Sequence, residues 1–182
     1  MTLDQITKTG IAPAMALLPV GMDSAKARVM LLAMGLQESR FEHRRQLVGN
    51  PPRPVGPAKS FWQFELGTAA SRGGVWGVFL HAASNGQLKQ IAMQRGVPLS
   101  PSNIWNAIEQ DDVLAAGLAR LLLWTDPLPL PAVRDEAGAW QLYLRTWRPG
   151  AWERGNAQQR AELRAKWARN HAAALAAVEG TA

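Results

Sequence analysis

The stretch from residue 25 to residue 41, AKARVMLLAMGLQESRF, constrains the fold of this chain more than any other. Wound into a helix, its first ten residues are apolar on most sides, so other parts of the chain must surround that helix. Asp23 or Ser24 can cap its N-terminus, and we expect it to run to about Arg40. Polar residues follow the apolar run at once. A carboxylate beside a core helix forms an ion pair, caps a helix end, or has a catalytic role.

Most of the remaining chain also has the spacing of helices. The predicted helices are 75–83, 85–95, 104–110, a central buried helix beginning at Asp111, 135–147 and 157–178. The last of these is long, basic and amphipathic. Residues 42–60 contain GNPPRPVGP and are predicted to form a loop, because proline cannot continue a helix. The predicted fold class is therefore all-α.

Length and composition indicate one folded domain. The chain has 182 residues, of which 47% are apolar and 19% charged, a balance typical of globular proteins. We find no internal repeat and no dividing linker, so residues 1–182 are predicted to form a single domain, and we expect a monomer. No run reaches membrane-spanning length. The short apolar run at 11–20 lacks a signal-peptide layout, so we expect synthesis in the cytoplasm without a signal peptide.

The charge balance favours anionic partners. The net charge is +6, and much of the excess lies late in the chain. Such a balance is typical of proteins that contact nucleic acid, anionic membranes or the bacterial envelope. The basic helix at 157–178 could contact an anionic envelope surface, although a solvated face is its default interpretation. The arginines lack an obvious recognition element, so no nucleic-acid partner is predicted.

Several classes of chemistry are excluded by spacing. The absence of cysteine removes a thiolate nucleophile and a disulfide framework. The three histidines, His43, His81 and His171, are scattered and form no zinc motif. There is no nucleophile elbow and no phosphate-binding loop. We therefore predict neither a metal nor a cofactor.

Two glutamates remain as candidates for acid–base chemistry. Glu38 ends the core helix with aromatic residues nearby, and loss of solvation there would raise its pKa and favour the protonated form that a general acid needs. Glu65 directly follows an aromatic run and can supply a second carboxylate. Two carboxylates in an aromatic-lined cleft are typical of glycoside hydrolysis. The alternative is an ion pair of Glu38 with Arg40, Arg44 or Arg45, and spacing alone leaves both interpretations open.

Three motifs occur in the order of the signature blocks of the lytic transglycosylase and goose-type lysozyme superfamily. GLQESRF resembles a helix that ends in Glu-Ser, SFWQFE resembles a Gly-Leu-Met-Gln stretch, and AWQLYLRTWRPG resembles a helix that carries Ala-Tyr-Asn. Trp62 stands where the family has Met, and Leu144 where it has Asn. The resemblance covers roughly residues 24–150, and the whole chain looks like a phage-encoded lysozyme-like protein. It implies a lysozyme-like, transglycosylase-type domain with a cleft.

The resemblance also implies roles for individual residues. Glu38 corresponds to the catalytic acid and Tyr143 to the tyrosine whose hydroxyl bonds it, while Glu65 matches an acidic residue of goose-type lysozymes. Ser39 corresponds to a neighbour that contacts substrate and helps to hold the acid. The residues expected to line the saccharide groove are Trp62, by stacking on a sugar ring, Gln63 and Phe64.

The activity implied by the resemblance is cleavage of the β-1,4 linkage between N-acetylmuramic acid and N-acetylglucosamine in peptidoglycan. The protein would then be a muramidase or a lytic transglycosylase, depending on whether water or the muramoyl 6-hydroxyl attacks. It would act on the wall in the periplasm, as an endolysin or as part of a virion. The alternative is a phage structural or host-interaction protein with the same fold and no catalytic activity, because a protein can keep its fold after losing its activity.

Overall fold

The computed structural model describes residues 1–180, and this part of the chain contains ten α-helices and one small two-stranded sheet. The helices are α1 (Leu3–Ile6), α2 (Ala12–Ala16), α3 (Ala25–Glu38), α4 (Gly74–Leu80), α5 (Ala82–Gln94), α6 (Pro101–Ala107), α7 (Asp112–Trp124), α8 (Glu136–Trp147), α9 (Gly150–Arg154) and α10 (Ala157–Glu179). A π-helical segment, Thr7–Ile11, joins α1 to α2, and Val20–Met22 is a 3₁₀ turn. The expectation of a helical fold class is confirmed in this coarse sense.

The two apolar helices predicted from the sequence lie in the core. Ser24 caps α3 by accepting a hydrogen bond from the Ala27 amide, and Asp111 caps α7 by accepting one from the Leu114 amide. Side-chain capping of this kind satisfies amides that have no partner within the helix. α3 packs against both α7 and α10. The buried face of α3 includes every residue from Val29 to Gly35, as its composition predicted.

The chain reverses sharply after α3, which ends at Glu38 rather than at Arg40. Arg40 and Phe41 both adopt left-handed backbone angles, with φ of 58° and 56°. This reversal brings the Phe41 ring onto Gly35, where a methyl group would overlap the ring. The glycine therefore makes room for the aromatic side chain that covers the end of the helix.

Residues 42–60, predicted to be a loop, contain an antiparallel hairpin instead. β1 (Arg45–Val48) pairs with β2 (Arg53–Lys59), with Leu47 opposite Pro54. In a two-stranded sheet each strand has one free edge, so prolines are tolerated where their missing N–H would face outward. Proline content correctly excluded a helix in this segment, but the prediction of a loop was wrong for the residues that form the two strands.

One hydrophobic cluster runs through the described residues, from Ile6 in α1 to Ala174 in α10. The C-terminal helix is part of this core, since Trp167 is fully buried. The single-domain assignment stays a prediction. No helix within residues 1–180 is both long enough and apolar enough to cross a membrane.

Candidate active site

A cleft of about 1480 Å³ lies beside the C-terminal end of α3. Its walls come from the end of α3 and the turn after it, the hairpin, the segment 63–74, α7, α8 and α9 with their connection, and α10. The polar and charged residues that border it include Glu38, Arg40, His43, Gln63, Glu65, Arg148, Glu153, Arg154, Glu162, Lys166 and Arg169. Elements distant in sequence therefore meet at the motif that ends the core helix.

Glu38 and Tyr143 are joined across the base of this cleft. The Tyr143 hydroxyl donates a hydrogen bond of 2.6 Å to Glu38 Oε1, so the bond predicted from the third motif is present. Burial raises the pKa of Glu38 to about 7, while the Tyr143 hydrogen bond and the charge of Lys166 act in the opposite direction. Burial and the neighbouring carboxylate raise the pKa of Tyr143 well above its ordinary value, so the phenol stays protonated.

Stacked aromatic rings hold Tyr143 in place. Its ring lies 4.8 Å from the fully buried Trp167 ring of α10, at an angle of 20°, and 5.4 Å from Trp140. Tyr143 itself is only 1% exposed. Because the ring is fixed by packing, the phenol presents its proton to Glu38 in one orientation.

The arginines near Glu38 in sequence pair elsewhere. Arg40 lies 3.7 Å from Glu42, Arg44 lies 2.5 Å from Asp112, and Arg45 lies 3.4 Å from Glu109. A structural ion pair of Glu38 with any of them was the alternative to a chemical role. These pairings contradict that alternative.

Ser39 borders the cleft but does not hold the carboxyl. Its hydroxyl donates to the Phe61 carbonyl at 2.6 Å and accepts from the Phe41 amide at 3.1 Å. A hydroxyl has one proton to donate, so the expected hydrogen bond to Glu38 is absent. Ser39 instead closes the turn that ends α3 and ties it to the segment carrying the second motif.

Trp62 lies in the core, and its expected stacking on a sugar ring is wrong. The side chain is fully buried, and its indole Nε1 donates to the Leu31 carbonyl at 2.9 Å. Its own carbonyl accepts a 2.9 Å hydrogen bond from the indole of Trp147, which is only partly buried and borders the cleft. Trp147 is therefore the tryptophan of this cleft that is available to a ligand.

The other two residues predicted to line the groove do border the cleft. Gln63 has a left-handed backbone, with φ of 51°, and its side-chain amide donates to the Ser60 carbonyl at 2.8 Å. Phe64 is 3% exposed and packs edge-on against Trp147 with ring centroids 5.2 Å apart. Gln63 is thus placed to contact a ligand, whereas Phe64 chiefly supports Trp147.

Glu65 lies on the exposed rim of the same cleft. Its carbonyl accepts a 3.1 Å hydrogen bond from the Val75 amide, which closes the loop between the two residues. Gly74, with φ of 57°, allows the close backbone contact at this closure. The Glu65 carboxylate forms no hydrogen bond or ion pair with another residue in the range 1–180, so it is free to act on a ligand or on water.

Lys166 of α10 is a site residue that sequence reasoning missed. It is partly buried, borders the cleft and donates a 2.5 Å hydrogen bond to the Gln37 carbonyl. The sequence offered one signal, a tryptophan at position 167 within an otherwise basic helix, which indicates a buried stripe along α10. The site thus combines a high-pKa acid with a phenol donor and a cation.

This arrangement suits proton transfer near neutral pH, because the pKa of Glu38 lies close to the operating pH of a general acid. Among residues 1–180 no group of three or more histidine or acidic side chains is arranged to hold a metal ion. Comparison of the chain with protein-family models, with curated proteins and with solved structures gave no match.

Proposed function

We propose that this protein is a peptidoglycan glycosidase with a lysozyme-like domain, which cleaves the linkage between N-acetylmuramic acid and N-acetylglucosamine. The observation that carries the proposal is the partly buried Glu38, raised in pKa to about 7 and bonded to Tyr143 at the base of a large cleft. The order of the three sequence motifs supports the same function. We place its action at the cell wall in the periplasm, during phage lysis or penetration, either as an endolysin or as a virion component.

In this mechanism Glu38 gives its proton to the glycosidic oxygen as the bond to the sugar breaks. Tyr143 donates to Oε1, which leaves Oε2 to carry the proton to the substrate. As the proton leaves, Glu38 becomes an anion, and the phenol and the Lys166 cation stabilise that charge. Glu38 then acts as a base on the incoming hydroxyl, by microscopic reversibility.

The identity of that hydroxyl decides the product. Attack by water gives a reducing muramic acid end, whereas attack by the muramoyl 6-hydroxyl gives a 1,6-anhydro end. The unpartnered Glu65 carboxylate on the cleft rim favours water, because a second carboxylate can orient it. Mass spectra of the products distinguish the two outcomes. Only anhydro products, unchanged by Glu65→Gln, would contradict a hydrolytic role for this residue.

Unpaired cations in the cleft suit an anionic wall polymer. Arg148, Arg154 and Arg169 border it and form no ion pair or hydrogen bond with a side chain in residues 1–180. By contrast, Arg160 bonds the Trp152 carbonyl and Arg164 pairs with a glutamate of α8. Binding of α10 to an anionic envelope surface is therefore the weaker proposal, and contact with peptidoglycan inside the cleft is favoured.

The test is digestion of purified peptidoglycan by the parent protein and by Glu38→Gln, followed as loss of turbidity. The amide keeps the shape of the side chain and removes the transferable proton, so the rate should fall by about 10²-fold or more. Glu153→Gln is the matched control, since Glu153 borders the same cleft and its exposed carboxylate bonds no other residue in the described range.

Two results would count against the proposal. Equal rates for the parent and Glu38→Gln would remove Glu38 from the chemistry. A folded parent protein that leaves peptidoglycan intact would favour the alternative, a lysozyme-fold phage structural or host-interaction protein without catalysis.

A further inference from the structure

The residue before the acid, Gln37, is held by α10 through three hydrogen bonds. Its side-chain amide donates to the Leu163 carbonyl at 3.4 Å and its side-chain oxygen accepts from Asn170 at 2.8 Å. Its backbone carbonyl accepts the 2.5 Å hydrogen bond from the Lys166 ammonium. α10 therefore fastens the last turn of α3 at the position adjacent to Glu38.

The last carbonyls of a helix have no partner within the helix, and a cation there is also favoured by the helix dipole. Lys166 supplies both the donor and the charge, although burial lowers its pKa and so disfavours its charged form. A lysine kept partly buried at this cost, when surface positions are open to it, indicates a specific use of its charge.

We propose that Lys166 is a positioning residue for Glu38: its ammonium fixes the final turn of α3 through the Gln37 carbonyl and stabilises the carboxylate that forms when the proton is transferred. The proposal rests on the proposed function, and it assigns part of the site to a C-terminal helix that none of the three sequence motifs includes.

The polar and charged groups around Glu38 come from several elements. Tyr143 of α8 and Lys166 of α10 both favour the ionised carboxyl. Arg40, just after α3, disfavours the charged form of Lys166, but its side chain is 71% exposed and pairs with Glu42, so solvent weakens its effect. The other charged or titratable residues bordering the cleft are Glu42, His43, Arg45, Glu65, Arg148, Glu153, Arg154, Glu162 and Arg169. Lys166 and Arg45 are the partly buried cations of this set. Arg45 is paired with Glu109, so among the described residues Lys166 is the partly buried cation whose charge is not balanced by a carboxylate ion pair.

The experiment compares three substitutions at one position. Lys166→Met removes both the charge and the donor, Lys166→Gln removes the charge but keeps a donor for the Gln37 carbonyl, and Lys166→Arg keeps both. Lys89→Met is the control, because Lys89 is exposed on α5 and bonds no other residue in the described range. Two quantities are measured: the titration midpoint of the Glu38 carboxyl by carbon NMR, assigned with Glu38→Gln, and the pH profile of peptidoglycan cleavage.

We expect Lys166→Met and Lys166→Gln to raise the Glu38 midpoint by about one pH unit, a tenfold change in its dissociation constant, because an adjacent cation no longer favours the anion. The alkaline limb of the rate profile, where Glu38 loses its proton, should move up by the same amount, and the maximal rate should fall about tenfold. Lys166→Arg should keep the Glu38 midpoint and the rate profile close to those of the parent protein, and Lys89→Met should change neither.

An unchanged Glu38 midpoint in folded Lys166→Gln would overturn the inference, whatever happens to stability. A merely structural lysine would change the unfolding midpoint and leave the titration alone. The NMR titration needs no substrate. A parent protein without cleavage activity whose Glu38 still responds to Lys166 would therefore refute the proposed function and leave the electrostatic link intact.

Discussion

Replacing Glu38 with glutamine should change the way in which stability depends on pH. The pKa of Glu38 is raised from an ordinary value of 4.5 to about 7 in the folded protein, chiefly by burial. One pKa unit corresponds to about 1.4 kcal/mol, so the difference between folded and unfolded states amounts to about 3 kcal/mol. This quantity follows from the site itself and does not depend on any catalytic activity.

The direction in which the free energy of unfolding changes with pH follows from proton binding. The folded state holds the Glu38 proton more tightly than the unfolded state does, so the stability associated with this group is fully present below pH 4.5. It is lost as pH rises through 7, when the folded protein must carry a buried anion. Glutamine never ionises, and its side-chain oxygen can still accept the Tyr143 hydrogen bond. The free energy of unfolding of Glu38→Gln relative to the parent should therefore increase by about 3 kcal/mol between pH 4 and pH 8.

Urea unfolding of both proteins across this pH range, followed by the fluorescence of the eight tryptophans, measures the difference directly. All other titrating groups are shared, so they cancel when the two curves are subtracted. A difference that is the same at pH 4 and pH 8 would refute the reasoning, because it would mean that Glu38 is as well solvated in the folded protein as in the unfolded chain.

Three further substitutions test other parts of the site. Tyr143→Phe should move the alkaline limb of the cleavage profile up by about one pH unit, since Glu38 loses a donor to its charged form, and should lower the unfolding free energy by no more than about 2 kcal/mol. Gly35→Ala should lower that free energy by about 3 kcal/mol because the methyl group overlaps the Phe41 ring, whereas Gly21→Ala, with open space around it, should not. Arg148→Gly should raise the free energy of unfolding by about 1 kcal/mol, because glycine adopts the left-handed backbone with φ of 47° without strain. The same substitution should raise KM for peptidoglycan severalfold, and an unchanged KM would mean that the guanidinium does not bind substrate.

The sequence by itself determined where the main helices lie. Helix starts at Ser24 and Asp111 were predictable because a capping side chain bonds amides only three residues away. The burial of α3 was predictable because its apolar residues cover most of a helical circumference. The order of the motifs also predicted the hydrogen bond between Glu38 and Tyr143, although 105 positions separate them.

Only the tertiary structure decided which side chains meet the cleft. Trp62 and Trp147 have the same chemistry, yet the first is buried in the core, where its indole bonds the Leu31 carbonyl, and the second borders the cleft. Ser39 is next to the acid in sequence but donates its proton to Phe61, because the chain reverses directly after α3.

Lys166 shows most clearly why the sequence alone does not reveal every residue of the site. Its place beside Glu38 depends on α10 lying against α3, with 129 positions between Lys166 and the carbonyl that it caps. Local rules concern groups within a few residues of one another, such as caps, turns and helical periodicity. The solvation of a carboxyl and the charges around it depend instead on which distant surfaces pack together, and that is settled by the burial of the whole core.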